Sequence, residues 1–246
     1  MLLDQKTCLI AGGAGEVGEG IVRSFLKEGA TVIVPSRSPY KLHALRERLE
    51  PTHLNRLMTL VGNIGSIEGA MEIRKTIEEE FDSLDVVVAS LGGTWQGAPI
   101  LEISLDTWHQ LIDNNMTSHF ITAKLFMPML IKAMEGSYLF IAAPAGENPM
   151  VNSGPLSVTV AGQMMLHKVL VEELSHSNVR INTLIPCTPV VTRSRVCLDK
   201  SWLTSDDVGD YAAFLCSDNA HKIKDLIIRF EDRRQLPSCD IPASYI

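Results

Sequence analysis

The sequence predicts an α/β domain: a doubly wound, seven-stranded parallel sheet with helices on both faces. Three observations predict it. Short apolar runs alternate with helix-period segments from end to end of the 246 residues. Val86–Ala89 is wholly apolar, as a strand covered on both faces requires. A glycine cluster stands at the first strand-to-helix turn.

In order, Thr7–Ala11 reads as the first strand. Val17, Ile21, Val22, Phe25 and Leu26 then share one helical face, and Lys27-Glu28-Gly29 closes that helix with a cation and a terminal glycine. Thr31–Val34 is the second strand, Lys41–Leu49 a helix, Leu57–Val61 the third strand and Ile67–Phe81 a charged surface helix. After the strand Val86–Ala89 comes a long helical stretch, Leu105–Met134, which Pro128 is expected to kink or break. Tyr138–Ala142 is the fifth strand, Val158–Leu174 an apolar helix, Val179–Ile185 the sixth strand, Asp206–Cys216 a helix and Leu226–Phe230 the seventh strand. Strands alternating with helices imply parallel strands joined by crossover helices, and seven strands with helices on both faces give a Rossmann-type sheet. No linker, repeat or low-complexity segment interrupts the pattern, so residues 1–246 read as a single domain.

Composition narrows the function. Hydrophobic residues make up 46% and charged residues 21%, enough apolar surface for a full core. The net charge of −7, with no Lys/Arg cluster, argues against a nucleic-acid or anionic-membrane surface. No apolar run approaches the ~18 residues of a membrane helix, and the N-terminus lacks a signal-peptide core, so a cytoplasmic protein is expected. Cys8, Cys187, Cys197, Cys216 and Cys239 are scattered and odd in number; free thiols are expected, and no metal site.

The turn Ala11-Gly12-Gly13-Ala14-Gly15-Glu16-Val17-Gly18 carries the chemistry. Gly12, Gly15 and Gly18 allow a tight turn and let backbone N–H groups approach a pyrophosphate at a helix N-terminus. Glu16 opposes this: an anion aimed into the cleft costs up to ~4 kcal/mol at 4 Å and an effective dielectric of 20, and little if it faces solvent. The second strand exits into Ser36-Arg37 with no acid for a ribose 2′-hydroxyl, whereas Arg37 suits a 2′-phosphate or is simply a solvated loop arginine. Given the glycine turn, NADP(H) is favoured over NAD(H).

These features resemble the short-chain dehydrogenase/reductase family over roughly residues 5 to 230. Ala11–Gly18 is similar to that family's glycine motif in the Gly-x-x-Gly-x-x-Gly form of its extended and atypical members. The resemblance implies cofactor contacts at Gly12, Gly15, Val17, Gly18, Ser36, Arg37, Asn63, Ile64 and Gly92. Asn63-Ile64 stands where the family often has Asp-Val near the adenine, and Ala89-Ser90-Leu91-Gly92 stands for its Asn-Asn-Ala-Gly. Asn115 aligns with the catalytic-site asparagine; Val179–Asn182 with Pro186-Cys187, and Phe214–Asp218, resemble the late strand and helix. The same register puts Ala143, Leu156 and Val160 at the positions of the family's serine, tyrosine and lysine, and the following Ala161-Gly162 supports that register.

None of those three side chains handles a proton. No tyrosine lies between Tyr138 and Tyr211, so no Tyr-x-x-x-Lys exists there. Tyr138 reads as a buried strand aromatic; Ser153 and Ser157 lack a neighbouring base, and His167 lies ~10 Å along its helix from Val160. His119, one turn beyond Asn115, is the remaining candidate acid, set against a packing role. Three functions follow. The first is an NADP(H)-binding protein with a degenerate site and a binding or sensing role. The second is an active NADP(H) oxidoreductase on a carbonyl or alcohol with an unconventional proton donor. The third is a structural subunit that binds no nucleotide. Arg193 and Arg195, in the Cys187–Leu203 loop, suit an anionic ligand or plain solvation. The apolar circumference of Val158–Leu174 predicts a homodimer or homotetramer.

Overall fold

The computed structural model describes residues 1–197 and 199–231. Cys239 lies outside them. The elements run β1 (Thr7–Ala11), α1 (Glu16–Lys27), β2 (Thr31–Ser36), α2 (Pro39–Arg48), β3 (Leu57–Val61), α3 (Ile67–Glu78), β4 (Val86–Ala89), α4 (Leu105–Ile112), α5 (Ser118–Ile131), β5 (Gly136–Ile141), α6 (Gly154–Glu173), β6 (Val179–Pro186), α7 (Ser205–Cys216) and β7 (Ile227–Phe230). The strands form one seven-stranded sheet in the order β3-β2-β1-β4-β5-β6-β7, every neighbouring pair parallel. The order reverses between β1 and β4, and the crevice opens there, at the carboxyl ends of the strands.

The two-residue period of a strand divides the core. Cys8 and Ile10 of β1 face one side, packed with Phe25 and Leu26 of α1, Leu45 of α2 and Leu215 of α7. Leu9 and Ala11 face the other, packed with Ile73 of α3 and Phe126 and Leu130 of α5. α1 and α7 meet at two glycines: a Cβ on Gly20 would stand 2.1 Å from the Ser205 carbonyl oxygen, and one on Gly209 2.4 Å from that of Gly20. A third, smaller apolar cluster joins Ala145, Leu156, Val160, Met164 and Ile185, with Ala142 and Ala143 against it.

Side-chain caps start most helices. Ser38, Ser66 and Ser104 accept from the backbone N–H of the third residue of α2, α3 and α4, and Thr204 with Asp207 forms a capping box on α7. The stretch 105–131 is interrupted, but not at Pro128. Pro128 is exposed, as is Lys124 four residues back, so water can reach the carbonyl that proline leaves without its helical donor. The irregularity is instead a π-helical turn at Asp113–Thr117, between α4 and α5.

Candidate functional site

The cleft has two connected lobes, of about 830 Å³ and about 750 Å³, sharing Gly12, Gly15, Gly92 and Asn115. Each is the size of a small-molecule site. The first lobe lies over the ends of β2 and β3, and Ser36, Arg37, Asn63 and Ile64 line it. The second runs over α1 towards α6, and Val17 and Gly18 line it. All ten positions singled out above therefore border one crevice.

The glycine turn is built by close approach. Gly12 has φ +87°, and a Cβ there would fall 2.0 Å from the Ser90 carbonyl oxygen. A Cβ on Gly18 would fall 2.1 Å from the Gly12 oxygen. Gly15 is the N-cap of α1 and supplies no side-chain cap, so the first N–H groups of that helix are left for other acceptors. Those are the features of a cradle for a phosphate.

Around the first lobe the side chains mostly shape the backbone. The Ser36 hydroxyl accepts from the Ser38 N–H at 3.2 Å, and the Asn63 carboxamide from the Gly65 N–H at 3.1 Å. Arg37 stands exposed at the rim, and Lys41 from the first turn of α2 lines the same lobe. Sequence reading missed Lys41. Its signal is a cation in a helix first turn, where the dipole disfavours it.

Asn115 is buried within the π turn. Its Oδ1 accepts from the Gly93 N–H at 2.8 Å and its Nδ2 donates to the Gly93 carbonyl at 3.2 Å, so the side chain pairs with the loop leaving β4 as a strand would. Gly92, at φ +90°, is required beside it, since a Cβ would fall 2.1 Å from Asn115 Oδ1. Gln163 of α6 donates through Nε2 to the Asn115 carbonyl. Gln163 also escaped the sequence reading; its signal is a polar residue on the buried face of an apolar helix.

Ala143, Leu156 and Val160 come together on the second lobe, which Asn115 also lines. They belong to or pack against the third apolar cluster. The alternative proton donors lie elsewhere. His119 is fully buried, with Nε2 3.3 Å from the Leu91 carbonyl oxygen and its ring stacked on Phe140 at 5.8 Å. Burial pulls its pKa down to about 4, so it is neutral at pH 7. His167 pairs with the Thr183 hydroxyl at 3.0 Å, and burial lowers its pKa too. Tyr138 is fully buried, and burial pushes its phenol far above the usual range. Ser153 is buried, and the Ser157 hydroxyl accepts from the Met150 N–H at 3.2 Å.

Glu16 is half-buried, and its carboxylate is engaged by the loop after β6. Its Oε2 accepts from the Thr192 and Ser194 hydroxyls, both at 2.5 Å. The Ser194 and Thr192 hydroxyl bonds hold its carboxyl below the usual range, so it is anionic at neutral pH. One turn on, Glu19 is buried and accepts two bonds from Arg48, Nε at 2.9 Å and Nη2 at 2.8 Å. Arg193 Nε stands 3.0 Å from Glu19, and Arg23 Nη1 3.5 Å. Burial pushes the Glu19 carboxyl up, but the Arg48 bonds and the charges of Arg48, Arg193 and Arg23 outweigh it, and the net direction is down. Of the two loop arginines, Arg193 is thus engaged internally, while Arg195 stays exposed at the edge of the lobe.

Among the described residues no group of three or more His, Cys, Asp or Glu is placed to hold a metal, and no helix is long and apolar enough to cross a membrane. Cys8, Cys187, Cys197 and Cys216 are free thiols.

A doubly wound sheet with a glycine turn at its switch point defines a class of nucleotide-cleft folds. Within it, the sequence profile described as short chain dehydrogenase matches residues 6–197, and the chain belongs to that family. An uncharacterized oxidoreductase of Bacillus subtilis (strain 168), YvaG, is 27% identical over 185 residues, 75% of this chain and 68% of the relative. The Bos taurus dehydrogenase/reductase SDR family member 4 is 25% identical over 194 residues, 79% of this chain and 69% of that one. Among solved structures, a short-chain type dehydrogenase/reductase from Mycobacterium ulcerans superimposes with a TM-score of 0.85 at 22% identity, covering 93% of this chain and 89% of that one. A short chain dehydrogenase from Shigella flexneri 2a str. 301, solved in complex with NADP, gives 0.83 at 19% identity, covering 93% and 98%.

Proposed function

We propose that this protein binds a nicotinamide dinucleotide, NADP(H) in preference to NAD(H), and turns over carbonyl or alcohol substrates weakly or not at all. Its role is then binding or sensing. The observation that carries this is one apolar stretch in the wall of the second lobe, formed by Ala143, Leu156 and Val160. By the sequence register these three correspond to the family's serine, tyrosine and lysine, and they share the lobe with Asn115. A bound nicotinamide would supply hydride chemistry, but these side chains cannot orient a substrate oxygen or pass it a proton. The Asn115 side chain is engaged with Gly93, Gln163 donates to the Asn115 carbonyl, and His119 is buried behind the β4 exit loop.

Cofactor fit rests on the cradle at Gly12, Gly15 and Gly18 and on the pair of cations, Arg37 and Lys41, beside the first lobe. Val17, Ser36, Asn63, Ile64 and Gly92 would complete the wall. Titration calorimetry tests it: NADPH should bind more tightly than NADH, and tighter NADH binding sinks the assignment. For chemistry, the purified protein should show no NADPH oxidation above background with a panel of ketones and aldehydes. Steady turnover, abolished by replacing a cleft residue, would establish the active-oxidoreductase reading instead.

A second copy of the chain is the expected partner. Val158, Met165 and Val169 lie along one exposed face of α6, and Phe120 and Ile131 along one of α5. Light scattering at micromolar concentration should give at least a dimer mass; a monomer refutes it. A cytoplasmic location is part of the same proposal.

A further inference from the structure

Three consecutive residues of the loop after β6 are held by two carboxylates of the first turn of α1. Thr192 and Ser194 donate to Glu16, and Arg193 pairs with Glu19. The loop is pinned at its base as well: Val191 N–H donates to the Leu203 carbonyl at 2.7 Å, and Ser205 N–H to the Val191 carbonyl at 3.1 Å. Between these points the chain turns tightly, with Thr192 and Arg195 exchanging backbone bonds at 3.2 Å and 3.3 Å. The hydroxyls therefore meet a carboxylate at the N-terminal end of α1, beside Gly15 and Gly18, on the wall of the second lobe. Of the nearby guanidinium groups, Arg48 and Arg193 are engaged by Glu19, and Arg23 by Asp206 at 2.8 Å as well as by Glu19.

We propose that Glu16 sets the affinity of this protein for a dinucleotide: its carboxylate takes the hydroxyl donors and the helix-end position that a pyrophosphate needs, so a dinucleotide binds only when Thr192 and Ser194 exchange Glu16 for it. The inference rests on the dinucleotide reading of the cleft. Its physical content is substitution of one anion for another. A carboxylate and a pyrophosphate both seek hydroxyl donors and a helix N-terminus, and two anions a few ångströms apart repel. Glu16 is thus a latch on the loop and a gate on the ligand. Neutralising it should loosen the loop and tighten the ligand together. A glutamate that only capped its helix would change neither in that direction.

The test uses wild type, Glu16→Gln and Glu16→Ala, with folding checked by circular dichroism. Hydrogen exchange of the loop 187–203 is measured without nucleotide, and NADPH binding by calorimetry. The loop should exchange faster in Glu16→Ala, with Glu16→Gln between, because one amide oxygen still accepts from a hydroxyl. Both variants should bind NADPH at least about tenfold more tightly than wild type. Unchanged loop exchange in Glu16→Ala overturns the latch. NADPH binding that is unchanged or weaker in both variants overturns the gate while leaving the dinucleotide reading intact. Binding by none of the three chains, with loop exchange raised in Glu16→Ala, retires the dinucleotide reading and leaves the latch standing.

Discussion

Replacing Glu19 by alanine should destabilise the protein by about 3 kcal/mol. Glu19 is 3% exposed and serves three guanidinium groups from three elements: Arg23 in α1 itself, Arg48 at the end of α2, and Arg193 in the loop. The bidentate Arg48 contact, at 2.8 and 2.9 Å, carries most of the effect, roughly 2 kcal/mol for paired charge-assisted bonds to a desolvated acceptor. The Arg23 and Arg193 side chains are 35% and 47% exposed, and water replaces much of what they lose, so roughly 0.5 kcal/mol each is appropriate. At ~2–4 °C per kcal/mol for a chain of this size, the melting temperature should fall by about 6–12 °C. Thermal unfolding followed by circular dichroism measures it. Arg48→Ala should lose most of the same stability, and the double variant little more than either single one, because the interaction is shared. The carboxyl is held below its ordinary value, so its contribution is complete above the unfolded pKa near ~4.3 and disappears as pH falls through the folded value. The gap between wild type and Glu19→Ala should therefore narrow in acid. A drop below about 2 °C at pH 7, or strict additivity of the two replacements, would refute the reasoning.

Gly20→Ala should cost at least about 2 kcal/mol, because the new methyl meets backbone 2.1 Å away and α1 must part from α7; urea unfolding reads it. His119 adds a distinct pH dependence: its folded pKa of about 4 lies below the unfolded ~6.5, so stability is full above pH 6.5 and falls by roughly 3 kcal/mol towards pH 4. His119→Gln should remove that share of the slope in a series of denaturant melts; an unaltered slope would contradict the assignment. Arg37→Ala should weaken NADPH binding by roughly tenfold and leave NADH binding nearly unchanged, read by calorimetry.

The fold was largely legible because its signals are local and redundant. Val86–Ala89 matches the observed β4 residue for residue, as any all-apolar buried run should. The second strand runs two residues past the expected Val34, through Pro35 to Ser36. Past Ile33 only β3 pairs with it, so a proline there is tolerated. Pro128 pointed to a break that solvent exposure prevents, while the π turn around Asn115 is set by Gly93 and Gln163, 22 and 48 residues away. The same division runs through the cleft. The glycines and Arg37 are legible from position alone, since close backbone approach fixes the glycines and Arg37 stands at the rim. The orientation of Glu16 depends on Thr192, 176 residues further along, and no local pattern carries that.

The small apolar cluster at Ala145, Leu156, Val160, Met164 and Ile185 bears on how such a site can change over generations. Leu156 and Val160 belong to this cluster yet also border the second lobe, so a longer side chain at either position extends into open cleft with its root against the cluster, and the lining can change one residue at a time without first rebuilding the packing behind it.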